Sequence, residues 1–289
     1  MSLLNASLPA GPRALAAALC GAALLLGPPL SAAGERFQYK LRPGQVLEYR
    51  THVAGAGIMG QPGGEMMKMQ MRTAQRVVQR VRSVSGGAIT LEVAETPISG
   101  KMTAFGQTQE YKPTATRTVY RLDTRGKVLS RKSSAPAGEG GGLTEMGGLD
   151  AMWGVQFPNR ELKPGDSWED RIGAPDDPEN PPVKVTTRFV GREKVRGRNC
   201  AKFTSVFSMP MGGGEEAEEL EGPTSTGSVS GTLTTYFDPA AGYEVYSSGS
   251  IVIRMKADLS SVSPDAGELA NVTKLNYVTS LVPGTPSRK

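Results

Sequence analysis

The chain has 289 residues, with 33 Lys and Arg against 28 Asp and Glu, a formal charge of +5, one histidine and two cysteines. The basic residues are spread out, so the charge gives no case for nucleic acid and only a weak preference for an anionic surface. One histidine and one or two cysteines cannot supply the usual zinc ligand set, which excludes a zinc hydrolase.

The first 33 residues read as an export signal. Arg13 is the positive n-region, residues 14–26 are the apolar core, and Ser31-Ala-Ala33 offers small residues for cleavage before Gly34. That core falls short of the ~20 residues a membrane span needs. The expected location is therefore exported, periplasmic or extracellular. Leu19 is bulky where a lipidation site before Cys20 would want a small residue. With the signal removed, Cys200 stands alone, as a buried small hydrophobe or a free reactive thiol.

One phrase is written twice, as Leu41-Arg-Pro-Gly-Gln-Val-Leu-Glu-Tyr-Arg50 and as Leu162-Lys-Pro-Gly-Asp-Ser-Trp-Glu-Asp-Arg171. Each copy precedes an alternating apolar run and a hairpin, so two related β units are expected, over 34–135 and 157–289. Between them, 136–156 reads as a Gly-rich linker with a short helical turn near 149–153.

Residues 67–84 fit both a strand and a helical face. The repeat decides for strand. Arg76-Val-Val78 aligns with Arg188-Phe-Val190 and Gly86-Gly-Ala-Ile89 with Arg198-Asn-Cys-Ala201, and the later copy is crossed by Gly191 and Gly197. On this strand Met67, Met69 and Met71 share one face, and Met209 and Met211 lie in the corresponding part of the second unit. Three readings are open: plain core, an adaptable lining for an apolar ligand, or soft thioether ligands for Cu(I). The opposite face carries Lys68, Arg72, Arg76, with Arg80 and Arg82 beyond. They form a solvated face, or a stripe for anionic headgroups or an acidic partner.

Each unit closes with a hairpin, round Asp123-Thr-Arg-Gly126 and round Asp238-Pro-Ala-Ala-Gly242, where Asp bonds its own backbone and Gly accepts positive φ. Residues 183–190 and 250–259 alternate as half-buried strands. The acidic stretches at 212–231 and 176–179 lack the spacing of a calcium loop. His52 has no nucleophile elbow to serve, no phosphate-cradling Gly loop is present, and nothing selects a pair of carboxylates. No cofactor and no metal is expected.

The phrases Phe157-Pro-Asn-Arg-Glu-Leu-Lys-Pro-Gly-Asp-Ser-Trp168, Val190-Gly-Arg-Glu-Lys-Val-Arg-Gly-Arg-Asn-Cys-Ala-Lys-Phe203 and Phe37-Gln-Tyr-Lys-Leu-Arg-Pro-Gly44 resemble those of uncharacterised exported bacterial families with a Pro-Gly-Asp-Ser-Trp motif. Such families have no assigned activity, so the resemblance implies no catalytic residue. Their meander plan is similar to that of LolA-type lipoprotein carriers.

The expectation is an all-β antiparallel meander whose two units form an open or partly closed barrel, or a curved sheet, with Trp153, Trp168, Tyr49 and Tyr120 as packing anchors. The expected function is a non-catalytic envelope module that holds an apolar ligand, lipid or lipidated partner. The alternatives are a structural or protein-interaction module with a solid core and, third, a Met-rich copper protein or a hydrolase. Expected partners are an apolar ligand or envelope protein, with peripheral contact to an anionic membrane surface.

Overall fold

The computed structural model describes residues 34–61, 64–110, 114–133, 154–172, 183–212, 224–258 and 267–284. The export signal, residues 136–153 of the Gly-rich linker with its helical turn and Trp153, and the acidic residues at 176–179 and 215–221 lie outside them. Residues 154–156 of the expected linker and 224–231 of the second acidic stretch are described, the latter as strand. Gly34–Lys289 forms one compact unit.

The twelve strands among the described residues belong to one sheet. They are β1 (Val46–Gly60), β2 (Met67–Ser85), β3 (Ala88–Ala104), β4 (Gln107–Glu110), β5 (Thr116–Asp123), β6 (Val128–Ser133), β7 (Ser167–Ile172), β8 (Val183–Val195), β9 (Arg198–Gly212), β10 (Thr224–Asp238), β11 (Tyr243–Asp258) and β12 (Glu268–Leu281). The order is β6-β5-β3-β2-β1-β12-β11-β10-β9-β8-β7, with β4 on the far part of β3. Every ladder is antiparallel. The result is an all-β curved meander that does not close. The two halves share it, because β1 pairs β12 from Tyr49↔Leu281 to Gly60↔Ala270.

Residues 67–85 are a strand, and their burial alternates as a period of two requires. Leu47, Tyr49 and Thr51 of β1 face inward, and Arg50, His52 and Ala54 face solvent.

The repeated phrase builds the same turn twice. Gly44 and Gly165 have φ of 78° and 98°. Gly44 donates its amide to the Val81 carbonyl at 2.9 Å, and Val81 donates to Gln45; Gly165 donates to Phe189 at 2.7 Å, and Phe189 donates to Asp166. The Gln45 and Asp166 side chains accept from the amides of Arg42 and Lys163. Val81 and Phe189 each precede a bulge, and they pair with Leu91 and Phe203.

This corrects the ungapped alignment of the repeat. Ile89 does match Ala201, but Phe189 matches Val81 rather than Val77. The β8–β9 hairpin is four residues longer than β2–β3 between these pairs (189 to 203 against 81 to 91), and an alignment without gaps cannot show that.

Residues 34–41 and 154–162, which precede the two turns, cross one end of the sheet. Glu35 and Leu162 exchange backbone bonds, Tyr39 donates to Thr124, Lys40 to Gly242, and Phe157 to Arg125. They carry Phe37 and Phe157 into a cluster with Phe189, Phe203 and Phe237, all under 5% exposed. The Phe37 centroid lies 5.1 to 5.6 Å from those of Phe157, Phe189 and Phe203. Each buried ring contributes about 1.5–3 kcal/mol by area alone. Two further clusters line the inner face, one in the first unit around Tyr49, Val77 and Leu91, the other around Phe207, Val229 and Leu275.

Candidate functional site

Two cavities on the inner face are lined by described residues. The lower, of about 60 Å³, is lined by Leu41, Leu47, Tyr49, Leu91, Val93, Tyr120, Val128 and Glu244 among others. Glu244 is brought there by a bulge. Tyr236 pairs with Tyr246 but Phe237 pairs with Glu244, so Val245 is skipped and Glu244 turns inward beside Phe237. In the first unit the same step pairs Leu122 with Val128 and skips Leu129. The fold therefore accepts a valine where the second unit has a carboxylate.

Glu244 fastens the crossing segments. The Val155 amide donates to its Oε1 at 3.1 Å, and the Tyr39 hydroxyl stands 3.3 Å from both Oε1 and the Val155 carbonyl, sharing one hydrogen. Tyr49 donates to the Glu244 backbone carbonyl. Tyr39 is gripped by Gly126 and Gly154, both at positive φ, where a Cβ would come within 2.7 and 2.6 Å of it. Burial pushes the Glu244 carboxyl up to about 7 despite the donors on Oε1. Burial likewise raises Tyr39 and Tyr49.

The upper cavity, of about 160 Å³, is lined by Met69, Met71, Met102, Met255, Ile253 and Leu275, with Gly55, Ala56, Gly57, Gln70, Asn271 and Thr273. Glycine makes the room. A Cβ at Gly55 would lie 2.6 Å from Leu275 Cδ2 and 2.8 Å from Met71 Cγ.

Of the methionines singled out in the sequence, Met69 and Met71 line this cavity. Met67 lies opposite Met59 and outside it. Met209 packs on the second unit's cluster with Met71 and Met255. Met211 is on β9 opposite Gly227, and its side chain is outside the described residues. Sequence reasoning missed Met102 and Met255 as partners. The alternation 251-253-255 points Met255 inward, whereas Met102 follows the bulge at Ile98, which breaks the period of two.

Lys68, Arg72, Arg76, Arg80 and Arg82 are all exposed. Two are engaged: Arg76 with Glu48 at 2.6 Å, and Arg82 with Glu92. These guanidiniums hold the Glu48 and Glu92 carboxyls below their usual range. Arg80 stands opposite Glu92 in register. Lys68 and Arg72 have no carboxylate partner among the described residues.

His52 is exposed on β1 and Cys200 is fully buried on β9. Four ladders separate those strands, roughly 19 Å along the sheet, so the two do not form a dyad. Burial raises the Cys200 thiol, which suits an inert core residue. Among the described residues no three His, Cys, Asp or Glu side chains stand together as metal ligands. Tyr49 and Tyr120 are buried anchors, and Trp168 donates Nε1–H to the Gln156 carbonyl at 2.9 Å.

No family model matches the chain, and no curated protein matches it. Among solved structures, one of lipid–protein interactions in lipovitellin is 9% identical and covers 85% of this chain and 26% of that one, at TM-score 0.41. The chain thus spans about a quarter of the length of that neighbour. A DUF1329 family protein from Desulfovibrio piger is 7% identical over 84% of this chain and 88% of its own, at TM-score 0.20. OmpF of Salmonella typhi, in complex with daunomycin, is 5% identical over 85% and 100%, at 0.25. These superpositions are too loose to carry an argument about activity, and the likeness to LolA-type carriers gains nothing from them.

Proposed function

We propose that the chain is a non-catalytic binding module of the bacterial cell envelope, exported by its first 33 residues, that holds an apolar ligand, lipid or lipidated partner on the inner face of the sheet. The observation that carries this reading is the upper cavity, where four methionines and two aliphatic side chains surround space left by glycines. Thioether chains adapt to ligands of varied outline, and apolar surface released from water drives their binding. The test is native mass spectrometry of protein purified from its own envelope, together with titration of a fluorescent fatty acid. A retained apolar adduct and displaceable probe binding are expected. Met69→Glu with Met71→Glu should weaken the probe at least about tenfold by placing charge in the cavity. An adduct-free spectrum and probe binding unchanged in the double variant would remove the reading.

The alternative, an interaction module with a solid core, is favoured by Val190 and Val206, exposed at 46% and 52% on β8 and β9. Copper titration of the same samples addresses the third reading. Tight Cu(I) uptake lost with Met69 and Met71 would favour thioether ligation.

A further inference from the structure

The tip between β3 and β4 carries an unexpected residue. Phe105 and Gly106 both have positive φ, 55° and 72°, the pattern of a type I′ hairpin. Asn or Asp is preferred at the first of these positions, and a bulky aromatic there is strained. Phe105 is nonetheless 77% exposed, with nothing gained in the core to offset the strain.

Its neighbours extend the pattern. Met69 pairs with Ala104, so Lys68 stands at the level of Phe105. Lys68 pairs with Ile58, Ile58 with Val272, and Val272 with Arg254. Phe105, Lys68, Ile58, Val272 and Arg254 thus form one row across the solvent side of the sheet, roughly 19 Å long at strand spacing. All five are exposed. One or two rows below stand Arg72 and Lys274. None of the four cations Lys68, Arg72, Arg254 and Lys274 has a carboxylate partner among the described residues. Met102, which lines the upper cavity, is itself 43% exposed three residues before Phe105.

We infer that this row is a docking surface for an anionic lipid bilayer, with the Phe105 tip entering the headgroup layer and the four cations lying against acidic headgroups. Aromatic and aliphatic side chains among unpaired cations suit the bilayer interface, where apolar insertion and charge attraction add. An acidic protein surface would use the cations but would not need an aromatic strained into solvent. The surface goes beyond the ligand reading and does not require it.

The test is sedimentation of the compact unit Gly34–Lys289 with vesicles of phosphatidylcholine alone or with about one third phosphatidylglycerol. Binding only to the anionic vesicles, weakened by salt, is expected. Lys68→Glu with Arg254→Glu should reduce partitioning at least about tenfold. Phe105→Asn installs the preferred Asn-Gly turn, so it should hold or raise the melting temperature while weakening vesicle binding several-fold. That opposition separates docking from loss of fold. Equal binding to both vesicles, binding by either variant at the level of the unaltered protein, or preference for polyglutamate over the anionic vesicles would overturn the inference. A vesicle result of either sign leaves the fatty-acid titration unaffected, so the two readings fail separately.

Discussion

Glu244 faces the interior because one residue, Val245, is left out of the ladder. Its carboxyl is raised from its usual 4.5 to about 7 by burial. Between those values the folded protein keeps a proton that the unfolded chain has lost. The contribution of this group therefore falls as pH rises through that window and is lowest above about 7. A shift of this size corresponds to roughly 3 kcal/mol. Urea unfolding at about pH 5 and about pH 8 should show the protein less stable at the higher pH, and Glu244→Gln should remove most of that difference. The depressed carboxyls of Glu48, Glu92 and Asp238 act with the opposite sign and at lower pH, so they do not mask it. An unchanged pH profile in the glutamine variant would refute this account of the group.

At the scale of elements, the two Pro-Gly turns do one task. Each sets the start of its unit's first strand against the second strand, just before a bulge. Nothing lies within 4 Å of a Cβ added at Gly44 or at Gly165, so substitution there meets only backbone strain. Gly44→Ala and Gly165→Ala should each cost about 1 kcal/mol, with the double variant close to the sum because the sites share no partner. Chemical denaturation of the three variants measures this. The repeat phrase and the alternation of 67–84 were enough to read the strands, the hairpin positions and two of the cavity's methionines. Three features were hidden for physical reasons. The bulge at Val245 breaks the period of two, which otherwise puts Glu244 outward with Tyr246. The longer β8–β9 hairpin shifts the repeat out of phase. Residues 34–41 and 154–162 are neither strand nor helix, so no period marks Phe37 and Phe157 as core.

The whole described unit is joined in two places, by the β1–β12 ladder at the middle of the sheet and by the crossing segments at one end. Phe37 comes from the start of the chain yet packs on Phe189, Phe203 and Phe237 of the second half. The halves should therefore unfold together, with far-ultraviolet and near-ultraviolet circular dichroism giving coincident transitions. Phe37→Ala should lower stability by about 3–5 kcal/mol while keeping a single transition. Two separated transitions in the unaltered protein would mean that the halves are thermodynamically independent.

The order of the sheet has a consequence in parity. Eleven of the described strands stand on the main path, and each step reverses direction, so the outermost pair among them, β6 and β7, run the same way. Zipping them into a ring would demand a parallel seam in an otherwise alternating weave. Lengthening either margin could not supply it; inserting or deleting a single strand would. Among the described strands, this odd tally leaves the two margins pointing the same way, in keeping with a gutter rather than a pipe.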